Sequence, residues 1–291
     1  MKLDLSNYFD KKTLIIFDID SLAKNDYVST YMGNKGGKPA FSFNLNGKNH
    51  NSTIIFGILS RLVHANFYID DVDFMASFDT KPNFLNYIHS QNVENAFDKS
   101  NEYYSQLVSL RHSLKDSGVT ILEKDGIESY SLIYEAVSTY YSEYEQIIIY
   151  SRDKVLYDIV RDEKVAIVVP SSKQDLTYNN YETFLGVPQG LINYKLTMLG
   201  DSSLNLKGVT GVGVAKFNKL LSDYDFSKSI VDNIKSTPLL KDNQKEMALS
   251  IYDWLLPSEV SLETTIKKIN SAKIGQYLEF YECSSLKEKL I

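Results

Sequence analysis

Five short apolar runs punctuate the first part of the chain: Thr13–Asp18 (TLIIFD), Asp73–Phe78 (DFMASF), Val119–Glu123 (VTILE), Gln146–Tyr150 (QIIIY) and Val165–Val169 (VAIVV). Each has strand length and is rich in β-branched or aromatic side chains, which suit a pleated surface, so each predicts a buried strand. Between them apolar positions recur at helical spacing. Ile55, Ile58, Leu59, Leu62, Val63 and Phe67 form one stripe, and Leu132, Ile133, Ala136, Val137, Tyr140 and Tyr141 another. Strands alternating with such helices predict βαβ units, hence an α/β fold with a mostly parallel central sheet flanked by helices on both faces. From about Asn180 the strand-like runs stop, and the remainder reads as helices joined by short turns. We therefore expect an α/β domain over 1–180 and a helical C-terminal subdomain over 181–291.

Composition narrows the function classes. Hydrophobic residues make up 43% and charged residues 23%, the balance of a globular protein rather than a disordered one. No apolar run reaches the roughly 18 residues a membrane helix needs, and MKLDLSNYFDKK carries acids where a signal peptide would be apolar. A cytoplasmic protein without a membrane partner is the expectation. The single Cys283 excludes an internal disulfide and a multi-cysteine zinc site. With 37 acids against 31 bases the net charge is −6, which argues against coating nucleic acid through a global positive field but permits a local basic patch. No P-loop, G-x-S-x-G or paired-histidine spacing is present.

Acids fall at the ends of the predicted strands. TLIIF leads to Asp18, FMASF to Asp79 and QIIIYSR to Asp153, while VTILE is followed by Asp125 and by Glu128, which opens the next helix. Ligands of open parallel sheets bind beyond the carboxyl ends of the strands, so acids distant in sequence would converge on one edge. Carboxylates and water suit hard cations, so Mg²⁺ or Mn²⁺ is the expected cofactor. Taken singly, each acid also reads as a helix cap. Asp20 also follows the first strand and is a candidate to join the cluster, although it reads chiefly as a local cap near Ser21.

The segment YKLTMLGDSSLNLKGVTGVGVAKFNKLL (Tyr194–Leu221) is the most specific in the chain. Gly208, Gly211 and Gly213 punctuate a tight connection between two helices within the hairpin 200–221. Glycines permit close backbone approach, and exposed amides at the start of the second helix suit a phosphate. Lys207, Lys216 and Lys219 add positive charge. Amides and lysines read backbone rather than bases, which points to DNA as the partner, the alternative being a helix–turn–helix packing element with glycine caps.

This segment resembles the helix–three-turn–helix of the 5′-nucleases (GD-S-S-D-N-I-P-G-V-P-G-I-G), the family of flap endonucleases and 5′-3′ exonucleases with a PIN-like domain. The resemblance runs along nearly the whole chain. LIIFDIDSL is similar to the family's first acidic strand, SFDTKPNF to its second, DGIESYSLI to G-x-E-A-D-D-x-I, and IIIYSRDKVLYDIV to I-V-T-G-D-K-D-L-L-Q-L-V. It implies two carboxylate clusters holding two metal ions roughly 4 Å apart. Asp18, Asp79 and Glu128 match the first cluster, and Asp153 and Asp201 the second. Four acids of the pattern are replaced: Tyr130 and Ser131 stand for the two aspartates of E-A-D-D, Val155 for the second of G-D-K-D, and Leu204 for the second of D-S-S-D-N. The arch segment IHSQNVENAFDKS lacks the family's basic residues before Lys99. Arg152 and Lys154 bring positive charge beside the cleft, and Arg152 is a candidate to neutralise surviving acids. The resemblance thus implies a DNA-binding protein of replication, repair or recombination, bacterial or phage-like, with weak or lost phosphodiesterase activity and at most one well-ordered ion. The alternatives are an active metal-dependent 5′-3′ exonuclease or flap endonuclease, and an interaction scaffold that no longer binds DNA.

Overall fold

Strand β1 (Thr13–Asp18) buries all six residues, as expected of a strand covered on both faces. It lies at the centre of a five-stranded sheet in the computed structural model, which describes residues 2–33, 41–45, 47–79 and 93–290. The other strands are β4 (Val72–Ser77), β5 (Thr120–Leu122), β6 (Gln146–Tyr150) and β7 (Val165–Val168), after a small antiparallel ribbon of β2 (Ser42–Leu45) and β3 (Lys48–Asn51). The order is β5-β4-β1-β6-β7, and every pairing is parallel. The five strands are those the apolar runs predict. The ribbon was not foreseen, because its strands are short and largely polar.

Helix α1 (Ile19–Gly33) follows β1 directly, and α2 (Thr53–Tyr68) precedes β4. Helix α3 (Val93–Asp116) leads into β5, and α4 (Ser129–Tyr140) links β5 to β6. The stripe on α2 is buried through Ile55, Ile58, Leu59, Leu62 and Val63, while Phe67 remains half exposed. Phe17 of β1 stacks on Phe74 of β4 and tilts against Tyr150 of β6, joining the three central strands through side chains as well as backbone.

The chain divides into two compact units. The first comprises Met1–Arg152, Lys164–Asp175 and Ser258–Ile291; the second comprises Asp153–Glu163 and Leu176–Pro257. This division differs from a single boundary at residue 180 because the last 34 residues return to the sheet unit. Residues 258–270 approach it without helix or strand. The Ser131 hydroxyl accepts the Ser258 N–H at 3.0 Å, the Tyr140 hydroxyl donates to the Thr264 carbonyl, and Lys267 and Asn270 amides donate to Thr120 and Ser117. Gly118 permits the passage: a Cβ there would lie 2.3 Å from the Lys268 carbonyl oxygen, and its φ is +88°. Helix α10 (Ser271–Phe280) closes this unit after the helices of the second, α5 (Tyr181–Leu185) to α9 (Asp242–Leu255). Among the described residues no helix is long and apolar enough to cross a membrane.

Candidate active site and nucleic-acid interface

Asp18 ends β1 where the sheet order reverses, with β4 on one side and β6 on the other. It is buried (3% exposed), and its carboxylate is held by hydroxyls from two neighbouring segments. Ser151, just past β6, donates to Oδ2 at 2.6 Å, and Ser129, in the first turn of α4, donates to Oδ1 at 3.1 Å. Glu128 is the N-cap residue of α4 and so sits one residue from that contact.

Asp20 is more than a local cap. Its Oδ2 accepts the backbone N–H of Asp79 at 2.6 Å, which ties the first turn of α1 to the segment leaving β4. Burial pushes its carboxyl up to about 7, and the neighbouring Asp79 charge adds to the rise, against the Asp79 amide and Lys24. Tyr103 of α3 feels the same concentration of charge. Burial chiefly raises its phenol, and Asp20, Asp18 and Asp79 raise it further. Three aspartates therefore share one poorly solvated region at the carboxyl ends of β1 and β4. Carboxylates are the oxygen donors that a hard divalent cation takes. Among the described residues, however, no three acidic, histidine or cysteine side chains form a ready-made cage. An ion there would take only part of its shell from protein, as Mg²⁺ commonly does.

The acids assigned to a second cluster lie in the other unit. Asp153 caps the 3-10 turn Lys154–Ile159, with Oδ1 accepting the Val155 N–H at 3.0 Å. Asp201 caps the turn Ser202–Leu204 between two short strands, β8 (Gly200–Asp201) and β9 (Leu206–Lys207). Its Oδ2 is paired with the Lys154 ammonium. Burial works to raise the Asp201 carboxyl, but hydrogen bonds from Lys154 and Ser203 outweigh it and hold the group below the usual carboxylate range. The neutralising cation is therefore Lys154; the Arg152 guanidinium donates to Asn25 instead. Val155 is buried and Leu204 half-buried.

The glycine hairpin runs from α6 (Ile192–Leu199) to α7 (Val214–Ser222), with the β8–β9 ribbon inserted between them. Val209 and Val212 are buried and anchor the loop, so Gly211, Gly213 and Val214 face solvent. Gly211 has φ +80°. Gly213 caps α7 in extended conformation, and a Cβ there would meet nothing within 4 Å. Gly208 serves packing: a Cβ on it would lie 2.4 Å from the Gly200 nitrogen. Lys207 is exposed. Lys216 donates to Gln244 Oε1 at 3.0 Å, while Gln244 Nε2 donates to the Thr210 carbonyl at 2.7 Å. Gln244 on α9 thus fastens both the loop and its lysine. No spacing in the sequence signals it, because the contact joins segments 28 residues apart. The basic-poor arch segment, residues 88–100, lies outside the described side chains, and its last eight residues belong to α3.

No family model matches the chain. It is 28% identical over 295 residues to a 5′-3′ exonuclease of Mycoplasma genitalium, covering 96% of this chain and 98% of that protein. It is 26% identical over 294 residues to a 5′-3′ exonuclease of Buchnera aphidicola, covering 94% and 98%. Among solved structures, the bacteriophage T5 D15 flap endonuclease in complex with DNA and metal ions aligns with TM-score 0.63 at 12% identity, over 96% of both chains. Human GEN1 in complex with Holliday junction DNA aligns with TM-score 0.59 at 15% identity, over 100% of this chain and 74% of that one. These two likenesses bear on the fold, whereas the bacterial relatives align in sequence over nearly their whole length. Along nearly its whole length the chain is thus similar to bacterial 5′-3′ exonucleases, and it shares the fold of the 5′-nucleases.

Proposed function

We propose that this chain is a DNA-binding 5′-nuclease-type protein of replication, repair or recombination, acting in the cytoplasm, with weak or lost phosphodiesterase activity. The observation that carries the DNA assignment is the solvent-facing start of α7 at Gly213–Val214, flanked by Lys207 and Lys216 on a loop anchored from below. Amides and ammonium groups there suit backbone phosphates of duplex, branched or 5′-flap DNA. Mg²⁺ or Mn²⁺ held by Asp18 and Asp79, with Asp20 and Glu128 beside them, would supply Lewis-acid stabilisation and a more acidic water. Low activity follows from Tyr130, Ser131, Val155 and Leu204, which remove four carboxylates from the family pattern.

A second reading, an active 5′-3′ exonuclease or flap endonuclease with a reduced carboxylate set, is favoured by relatives of that name matched over nearly their whole length. Cleavage of 5′-flap DNA in Mg²⁺ or Mn²⁺ decides between them. Slow or absent cleavage with a gel shift retained in Ca²⁺ supports the first, and multiple turnovers support the second. Absence of any shift on flap or duplex DNA would leave only an interaction scaffold.

A further inference from the structure

The two acids expected to hold a second ion are engaged by the chain itself. Asp153 Oδ1 accepts the Val155 N–H, which fixes the turn that carries Lys154. Asp201 Oδ1 accepts the Ser203 N–H at 2.9 Å, the Ser203 hydroxyl, and the Leu204 N–H at 3.3 Å. Its Oδ2 takes the Lys154 ammonium, and the carboxylate is only 16% exposed. The side chains at the two replaced positions, Val155 and Leu204, carry no oxygen. A hard divalent ion near these residues would find one carboxylate saturated by four donors and two apolar neighbours, where it needs about six oxygens. The set does not fit a divalent cation.

We infer that the Lys154 ammonium is the resident cation of Asp201, and that the Asp153–Asp201 pair takes no second divalent ion. The inference rests on the 5′-nuclease reading above, which is what leads one to expect an ion there. An ammonium carries charge and three donors, so it can balance Asp201 and attract phosphate. It does not activate water as a metal does. Part of the low activity proposed above would then lie in this pair.

Mn²⁺ alone is the probe, titrated into the full chain with the free ion followed by electron paramagnetic resonance. Wild type and Asp201→Asn are expected to bind the same number of ions with dissociation constants within twofold. Loss of one bound Mn²⁺ in Asp201→Asn would overturn the inference. A second measurement needs no metal. In EDTA, Lys154→Met and Asp201→Asn should each lower the melting midpoint, and the double variant should fall no further than the worse single one. Additive losses would show that no pair exists and would likewise overturn it. A 5′-flap gel shift on the same variants reports DNA binding separately. Failure of the function proposal therefore appears as a lost shift in wild type, and failure of this inference as a changed ion count.

Discussion

Gly200 and Gly208 face each other so closely that a Cβ on either would stand 2.4 Å from the backbone nitrogen of the other. Gly200 also needs its φ of +70°. The β8–β9 ribbon can close only because both positions lack a side chain. Gly208→Ala should therefore destabilise the hairpin unit by about 1–3 kcal/mol, as overpacking against immobile backbone does. Gly213→Ala meets open space and should leave the melting midpoint unchanged, while a bulkier residue there weakens DNA binding by obstructing the helix start. Thermal melting beside a gel shift separates the two roles that the glycine pattern merges.

Removing one hydroxyl from Asp18 should cost about 1–3 kcal/mol, the range for hydrogen bonds to a charged group that leave a buried acceptor short of a donor. Ser151→Ala and Ser129→Ala both act on the same carboxylate, so their effects should not add. Urea denaturation of the two singles and the double measures this. Equal and fully additive losses would show that the hydroxyls act through something other than Asp18.

How far the sequence discloses this molecule depends on the range of the interaction. The strands were legible because TLIIFD and QIIIY carry their burial in the residues themselves, and parallel order followed from the helices between them. Asp20 reads in the sequence both as a local cap and as one of the strand-end acids, because its partner amide on Asp79 lies 59 residues away. The return of the C-terminal segment depends on Gly118 and the Ser131 hydroxyl, neither of which has a periodicity. Lys154 and Gln244 are ordinary surface types until the fold supplies Asp201 and Thr210.

Gln244→Ala should release the loop at Thr210 and the Lys216 ammonium together. We expect a several-fold loss of affinity for duplex and 5′-flap DNA, equal across sequences because phosphate contacts carry no base information. Lys216→Ala should lower the salt slope by about one, and the Gln244→Ala, Lys216→Ala double variant should lose little more than the worse single one. Binding isotherms over a salt series test it, and full affinity in both singles would remove the hairpin from the interface.

Asp158 makes stability depend on pH. Burial pushes its carboxyl up to about 6, with Arg161 opposing, and Oδ1 has no hydrogen-bond partner among the described residues. An unfolded chain releases this proton near pH 4. Between about 4 and 6 the folded state keeps a proton that the unfolded state has lost, so this group's contribution falls as pH rises through that window and is fully retained only below it. Asp158→Asn keeps the shape without the charge. Its melting midpoint should exceed wild type at neutral pH and match it near pH 4; the same midpoint difference at both would refute the assignment.

Restoring the missing acids tests whether chemistry was lost with them. Ser131 is 1% exposed and holds the Ser258 amide, and Val155 is 4% exposed, so a carboxylate at either enters a poorly solvated place. Val155→Asp alone should therefore destabilise the protein by several kcal/mol, about the cost of an unpaired buried charge, and should not raise cleavage. The quadruple change Tyr130→Asp, Ser131→Asp, Val155→Asp and Leu204→Asp should be unstable in EDTA. It should regain melting temperature with Mn²⁺ if the carboxylates assemble around an ion, since a ligand that binds only the folded state stabilises it. Cleavage of 5′-flap DNA should rise only in that combined variant, because ligand sets act as a unit and their effects are strongly non-additive. The Lys154 ammonium would compete for Asp201, so adding Lys154→Met to the quadruple should strengthen the Mn²⁺ response further. Robust cleavage by the unmodified chain, abolished by Asp153→Asn, would show instead that the reduced set suffices and that the active-nuclease reading holds.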